Sequence, residues 1–89
     1  MPTHYLASRL DDLAALGDLE GLYRLTARGD AHAYACHTGP DRRYLLWAAA
    51  ADAITWRRRA VEARLAGRTA DALAFEDRSE YWLGKLDTY

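Results

Sequence analysis

The stretch DRRYLLWAAAADAITWRRRAVEARLA, residues 41–66, decides how this chain folds. It contains no glycine or proline, it follows Pro40 and it precedes Gly67. Proline is typical of the first turn of a helix, and glycine of the position just beyond its end. Alanine, arginine and leucine, its commonest residues, favour helix. We therefore predict one uninterrupted helix over residues 41–66, which at about 1.5 Å per residue is roughly 39 Å long.

This helix carries apolar side chains on two faces. Along the first, the residues are spaced alternately by three and four, as in a heptad seam: Tyr44, Trp47, Ala51, Ile54, Arg58, Val61 and Leu65. Along the second, most residues are small: Leu46, Ala49, Ala53, Trp56, Ala60 and Ala63. A helix with two apolar faces needs neighbours on two sides, and small side chains let a second helix approach closely. We therefore expect residues 41–66 to be the central helix of a bundle.

Glycines divide the rest of the chain into shorter helices. Gly17 followed by Asp18 is typical of a helix end and of the cap of the next helix. Further breaks fall at Gly29, Gly39 and Gly67. The predicted helices cover residues 4–16, 19–28, 31–37, 41–66 and 70–86. Residues 31–37 also alternate in polarity, so a strand is the alternative there. Isoleucine and valine occur once each in 89 residues, which disfavours sheet. We predict one all-α domain over residues 1–89, a compact bundle of four or five helices.

The central helix is longer than the domain is expected to be wide. A compact chain of this size has a diameter of about 31 Å. We therefore expect the helix to extend beyond the bundle, so that solvent, a second copy or a partner protein covers its end.

Charge is unevenly distributed along the chain, although the net charge is only -1. Residues 1–40 carry three basic and five acidic side chains, residues 41–68 seven basic and three acidic, and residues 69–89 two basic and five acidic. We predict that the basic central helix pairs with its acidic flanks inside one bundle. Consecutive arginines on a helix point about 100° apart, so Arg57, Arg58 and Arg59 do not form one flat patch.

The arginines are also the candidate interaction residues, because arginine and tryptophan are favoured anchors of protein interfaces. The candidates are Trp56, Arg57, Arg58, Arg59, Arg64 and Arg68. The leading hypothesis is a small helical protein–protein interaction module, an adaptor or inhibitor that docks on a larger protein or on a second copy of itself. The alternative is a nucleic-acid-binding protein that uses these arginines and whose binding weakens steeply with salt.

A third hypothesis is a metal-binding protein. His32 and Cys36 lie four residues apart and His37 follows them, which is part of a ligand set for zinc. Zinc takes about four ligands in a tetrahedron, so this group is incomplete unless His4 or a second chain contributes. We favour ordinary packed residues at these positions and predict no bound cofactor.

Two further groups have spacings that catalysis could use. His4, Ser8 and Asp12 repeat every four residues, but on the polar side of a terminal helix, where a buried Ser/His/Asp triad is not expected. Glu76 and Glu80 have no histidine at helical spacing, so a di-metal carboxylate site lacks its ligands. The chain contains no phosphate-binding loop and no HExxH motif, and we predict that it is not an enzyme.

The helix pair across Gly67 resembles one tetratricopeptide hairpin. Four residues match the aromatic, small, glycine and alanine positions of that repeat: Trp56, Ala60, Gly67 and Ala72. Three depart from it: Arg59, Thr69 and Glu76. The match covers about a quarter of the chain, whereas solenoids need roughly three repeats to be stable. We interpret it as the geometry of two closely packed helices and assign no family.

The location is predicted from three features. Cys36 is the only cysteine, which suits a reducing compartment. The N-terminal residues lack the basic and apolar segments of a signal peptide. The longest apolar run, residues 44–51, is far shorter than the ~20 residues of a membrane span. We therefore expect a cytoplasmic protein that contacts no membrane and whose partner is another protein or a second copy.

Overall fold

A computed structural model describes residues 2–25 and 40–88, which form four helices and no strand. The helices are α1 (Pro2–Leu16), α2 (Leu19–Arg24), α3 (Pro40–Leu65) and α4 (Thr69–Thr88). The predicted all-α bundle around one long helix is confirmed, and α3 coincides with the predicted helix over residues 41–66 to within one residue at each end. The predicted helix over residues 31–37 lies outside the described residues.

The turn between α1 and α2 forms as the sequence predicts. Gly17 has a φ of 65°, a left-handed conformation that glycine adopts without steric cost. The Asp18 side chain accepts a hydrogen bond from the Gly21 backbone N–H at 2.9 Å and so caps α2. The turn between α3 and α4 is built alike around Gly67, whose φ is 77°. Both turns reverse the chain, so each helix packs on its predecessor.

Helix α2 ends earlier than predicted. The sequence predicts a helix over residues 19–28, but Leu25 has an extended backbone, with φ -69° and ψ 119°, and the helix stops at Arg24. Leu25 is only 3% exposed and belongs to the core cluster. Helices this short are marginal on their own, so packing of Leu25 outweighs local helix propensity.

The core lies where α1 and α2 pack against the α3–α4 hairpin. It contains leucines of α1 and α2, the leucine that follows α2, and residues of α3 and α4: Leu6, Leu10, Leu22, Leu25, Ala49, Ala50, Ala53, Ile54, Val61 and Leu86. The small-residue face of α3 is buried most completely, since Ala49, Ala53, Ala60 and Ala63 are at most 1% exposed. The heptad face is buried at Ile54 and Val61 but reaches solvent at Leu65. Small side chains thus fill the most deeply buried face of α3.

Helices α3 and α4 lie side by side over most of their length. The Ser79 hydroxyl, fully buried, donates a hydrogen bond to the Ala53 carbonyl at 2.8 Å. Both residues lie near the middle of their helices, so the 20-residue α4 is centred on the 26-residue α3. The molecule measures 42 × 21 × 18 Å and is elongated along this hairpin. The longest dimension exceeds the expected diameter of about 31 Å because α4 runs beside α3 over most of its length. Since α4 is shorter than α3, the covering of the ends of α3 by solvent, a second copy or a partner stays a prediction.

We expect opposite effects from alanine at two helical glycines. A Cβ at Gly84 would meet nothing within 4 Å. Gly84→Ala should therefore raise the free energy of unfolding by about 0.5–1 kcal/mol, since alanine has less backbone entropy to lose. A Cβ at Gly21 would lie 2.6 Å from Asp18 Oδ2 and 2.7 Å from Leu13 Cδ2. Gly21→Ala should lower Tm because it displaces the α2 cap. Thermal unfolding followed by circular dichroism compares the two variants, and equal shifts of the same sign would contradict this packing.

Candidate interaction surface

Two arginines of α3 form ion pairs with carboxylates of the flanking segments. Arg57 lies 2.9 Å from Asp11 of α1, and its side chain is only 17% exposed. The Arg64 Nε donates to Glu76 of α4 at 2.7 Å. Each acidic flank thus supplies one partner, which confirms the pairing predicted from the charge distribution for these two arginines. Exposed pairs of this kind contribute at most about 1 kcal/mol each, so they favour the arrangement without dominating stability.

The same two arginines border a cavity of about 330 Å³ between α1, α3 and α4. Its lining is Asp11, Ala14, Ala15, Arg57, Ala60, Val61, Arg64 and Glu76. The alanine and valine side chains provide an apolar floor. The charged groups that line the cavity are already paired with one another, so a ligand's charge would have to displace an internal partner.

Arg58 lies on a different side of α3, against α2. Its guanidinium carbon is 4.5 Å from the centre of the Tyr23 ring. The Tyr23 hydroxyl donates a hydrogen bond to Glu62 at 2.7 Å. Arg58 therefore contributes to the contact between α2 and α3, where a cation over an aromatic ring stabilises by about 0.5–1 kcal/mol at exposed sites.

This contact has a pH dependence that can be measured. The hydrogen bond to Glu62 raises the pKa of Tyr23 above its ordinary value of 10.0, and Arg58 partly opposes the shift. A folded-state pKa above the unfolded one contributes stability that is complete below about pH 10 and is lost as pH rises through the folded pKa. Tyrosinate absorbance of the wild type minus that of Tyr23→Phe should show one phenol that ionises late. A difference that titrates at or below the ordinary pKa would contradict the hydrogen bond.

Trp56 and Arg59 lie on a further side of α3, where this helix contacts α4. The Trp56 ring packs on Phe75 of α4, with ring centres 5.5 Å apart and planes inclined by 33°. The guanidinium carbons of Arg59 and Arg78 lie 4.8 and 4.6 Å from its centre. The two rings are half-buried and both arginines are exposed. We call these four residues, Trp56, Arg59, Phe75 and Arg78, the Trp56 surface.

The six sequence-predicted interaction residues thus lie at several places. Arg57 and Arg64 line the cavity, Arg58 packs on α2, and Trp56 contacts Arg59. Arg68 is exposed in the turn after α3. Consecutive arginines point to different neighbours, as helix geometry requires.

Phe75 and Arg78 were not predicted from the sequence as members of this surface. They lie three residues apart on α4, and that spacing places them on one side of a helix. The aromatic stripe that contains Phe75 is visible in the sequence. The register that carries Phe75 and Arg78 to Trp56 depends on how α3 and α4 pack, and the sequence does not state it.

The structure describes only some residues of the other candidate sites. His32, Cys36 and His37 fall outside the described residues. Among residues 2–25 and 40–88, no three His, Cys, Asp or Glu side chains come together as a metal site. Ser8 and Asp12 are exposed on α1. Glu76 is paired with Arg64 and Glu80 is exposed, as expected for a charged surface rather than an acid–base pair. No described helix is long and apolar enough to cross a membrane.

Comparison with known proteins gives no match: no family model, no curated protein and no solved structure is similar to this chain.

Proposed function

We propose that this protein is a small helical interaction module that binds another protein, or a second copy of itself, through the Trp56 surface. One observation carries the proposal. An exposed arginine from each of two helices lies over one tryptophan ring, and within the described residues neither arginine has a carboxylate within 4 Å.

The surface has the composition and rigidity of an interface anchor. Tryptophan and arginine carry a disproportionate share of binding energy at protein interfaces, above all where water is excluded around them. The Trp56 ring packs on Phe75 between the long helices α3 and α4. Little side-chain freedom therefore remains to be lost on binding.

Nucleic-acid binding through the arginines is the second candidate, and the geometry favours it less. Of the central-helix arginines, Arg57 and Arg64 already have carboxylate partners. Phosphate binding gains affinity from the number of cations that displace counterions. Two engaged arginines reduce that number, and the net charge of -1 adds no long-range attraction.

The proposal predicts where a partner can be crosslinked. Ala74 is exposed one helical turn before Arg78, whereas Ala15 is exposed on α1 at the cavity. We would place a photocrosslinking amino acid at each position in turn, irradiate cells of the native host and treat the extract with nuclease. A protein adduct should form from Ala74, and Arg59→Ala with Arg78→Ala should abolish it while leaving the circular dichroism spectrum unchanged.

The two positions separate the alternatives. Adducts from Ala15 alone would move the interface to the cavity and contradict the proposal. An Ala74 adduct that disappears with nuclease would favour nucleic acid. An Ala74 adduct whose mass is twice that of the chain would identify the partner as a second copy.

A further inference from the structure

Among residues 2–25 and 40–88, no side-chain hydrogen bond engages the guanidinium groups of Arg59 and Arg78. A guanidinium that lies over an aromatic ring uses its face for that contact, while its five N–H donors point outward in its own plane. The guanidinium carbons of Arg59 and Arg78 lie 4.8 and 4.6 Å from the centre of the Trp56 ring, within the range of such a contact. Because both guanidinium carbons lie less than 5 Å from the same ring centre, they are within about 10 Å of each other. Two carboxylates from one short segment can reach both.

Within the described residues, no carboxylate lies within 4 Å of Arg59 or Arg78, although acidic residues outnumber basic ones in the chain. Acidic residues number 13 against 12 basic ones. Three other arginines are paired: Arg24 with Glu20, Arg57 with Asp11 and Arg64 with Glu76. Among the described residues, Arg9, Arg58 and Arg68 also have no carboxylate within 4 Å. Of the described arginines, only Arg59 and Arg78 lie together over one aromatic ring, since Arg58 lies alone over Tyr23.

The surroundings favour a peptide over a nucleic acid. Asp52 lies one turn before Trp56 on α3, and Asp71 lies one turn before Phe75 on α4. A spacing of four residues places each carboxylate on the same side of its helix as the ring that follows it, and like charges within a Debye length of about 8–10 Å repel. A nucleic acid carries a phosphate charge at every nucleotide, so a strand bound across this surface would bring phosphates close to Asp52 and Asp71. A peptide can carry acids only where the two arginines are.

We propose that the partner of the Trp56 surface presents a short acidic segment, in which an apolar side chain packs on Trp56 and Phe75 and two carboxylates bind Arg59 and Arg78. This inference rests on the proposed function and specifies its ligand. A carboxylate binds a guanidinium through paired N–H···O bonds, so the aromatic contact and the ion pair form together.

A random peptide library displayed on phage tests the chemistry directly. We would select it against the wild-type chain, against Arg59→Glu and Arg78→Glu, and against Arg9→Glu, an exposed arginine of α1 that gives a control of equal net charge. Wild type and control should enrich peptides with Asp or Glu around one apolar residue, whereas the two reversed variants should enrich Lys or Arg. The most enriched acidic peptide, labelled with fluorescein, should lose affinity about tenfold or more with either reversal.

Each outcome has a separate meaning. Peptides that need Trp56, as Trp56→Ala shows, but carry no acidic preference would overturn this inference and leave the proposed function standing. No enriched peptide that depends on Trp56 would overturn both. Acidic peptides that bind the reversed variants as tightly as the wild type would overturn the inference. So would a random-sequence single-stranded DNA that binds more tightly than the peptide and is lost with Arg59→Glu or Arg78→Glu.

Discussion

Leu10→Ala should lower the free energy of unfolding by about 2–5 kcal/mol. Leu10 is 1% exposed and lies in the core cluster where α1 meets the central helix. Alanine removes three carbons and leaves a cavity that the long, rigid α3–α4 hairpin cannot collapse to fill. Total stability for a chain of this size is about 5–15 kcal/mol, so the loss is a large share of it. Urea unfolding followed by circular dichroism measures the change.

Leu16→Ala is the matched control. It is the same substitution on the same helix, but Leu16 is 79% exposed, so the expected change is within about 0.5 kcal/mol. If both variants lost the same stability, the effect would reflect the helix propensity of α1 and not its burial. If Leu10→Ala changed nothing, α1 would not be docked on the bundle as described.

The fold class followed from the sequence because its strongest signals are local. Alanine, arginine and leucine, which favour helix, are the commonest residues of α3, and the absence of glycine and proline after Pro40 lets the helix continue. Gly17 and Gly67 mark the turns because only a left-handed backbone closes them so tightly, and both have positive φ. These signals act within a few residues, so a single sequence displays them in full.

The candidate site followed only in part, because its geometry depends on contacts far apart in the chain. Periodicity identifies the faces of a helix but not its rotation against a neighbour. Trp56 and Arg59 were predicted as interaction residues from composition and neighbourhood. Phe75 and Arg78 join them only through the register that Ser79 and Ala53 set. The sequence predicted too long a helix for α2 for a related reason. Burial of Leu25 overrides a weak local preference for helix.

Ala53→Leu should destabilise the protein by about 1–3 kcal/mol or more through overpacking. Ala53 is fully buried at the point where the Ser79 hydroxyl bonds to its carbonyl at 2.8 Å. Three added carbons have no space there unless the two helices separate. Ser79→Ala, which removes only the hydrogen bond, should lose about 0.5–1.5 kcal/mol and keep the helices together. Ala74→Leu, on the exposed side of α4, should change the free energy of unfolding little.

Separation of α3 and α4 would also disrupt the Trp56 surface. Trp56 lies three residues along α3 from Ala53, and its partners Phe75 and Arg78 belong to the opposite helix, so the 5.5 Å ring contact depends on the same approach. We therefore expect Ala53→Leu to shift the tryptophan fluorescence towards that of an exposed ring and to weaken peptide binding, whereas Ser79→Ala does neither. Loss of stability without a change in fluorescence would show that the two helices repack locally and that the surface does not depend on their spacing. If stability and fluorescence both change, the contact of small residues between α3 and α4 is what holds the four side chains of the surface in register.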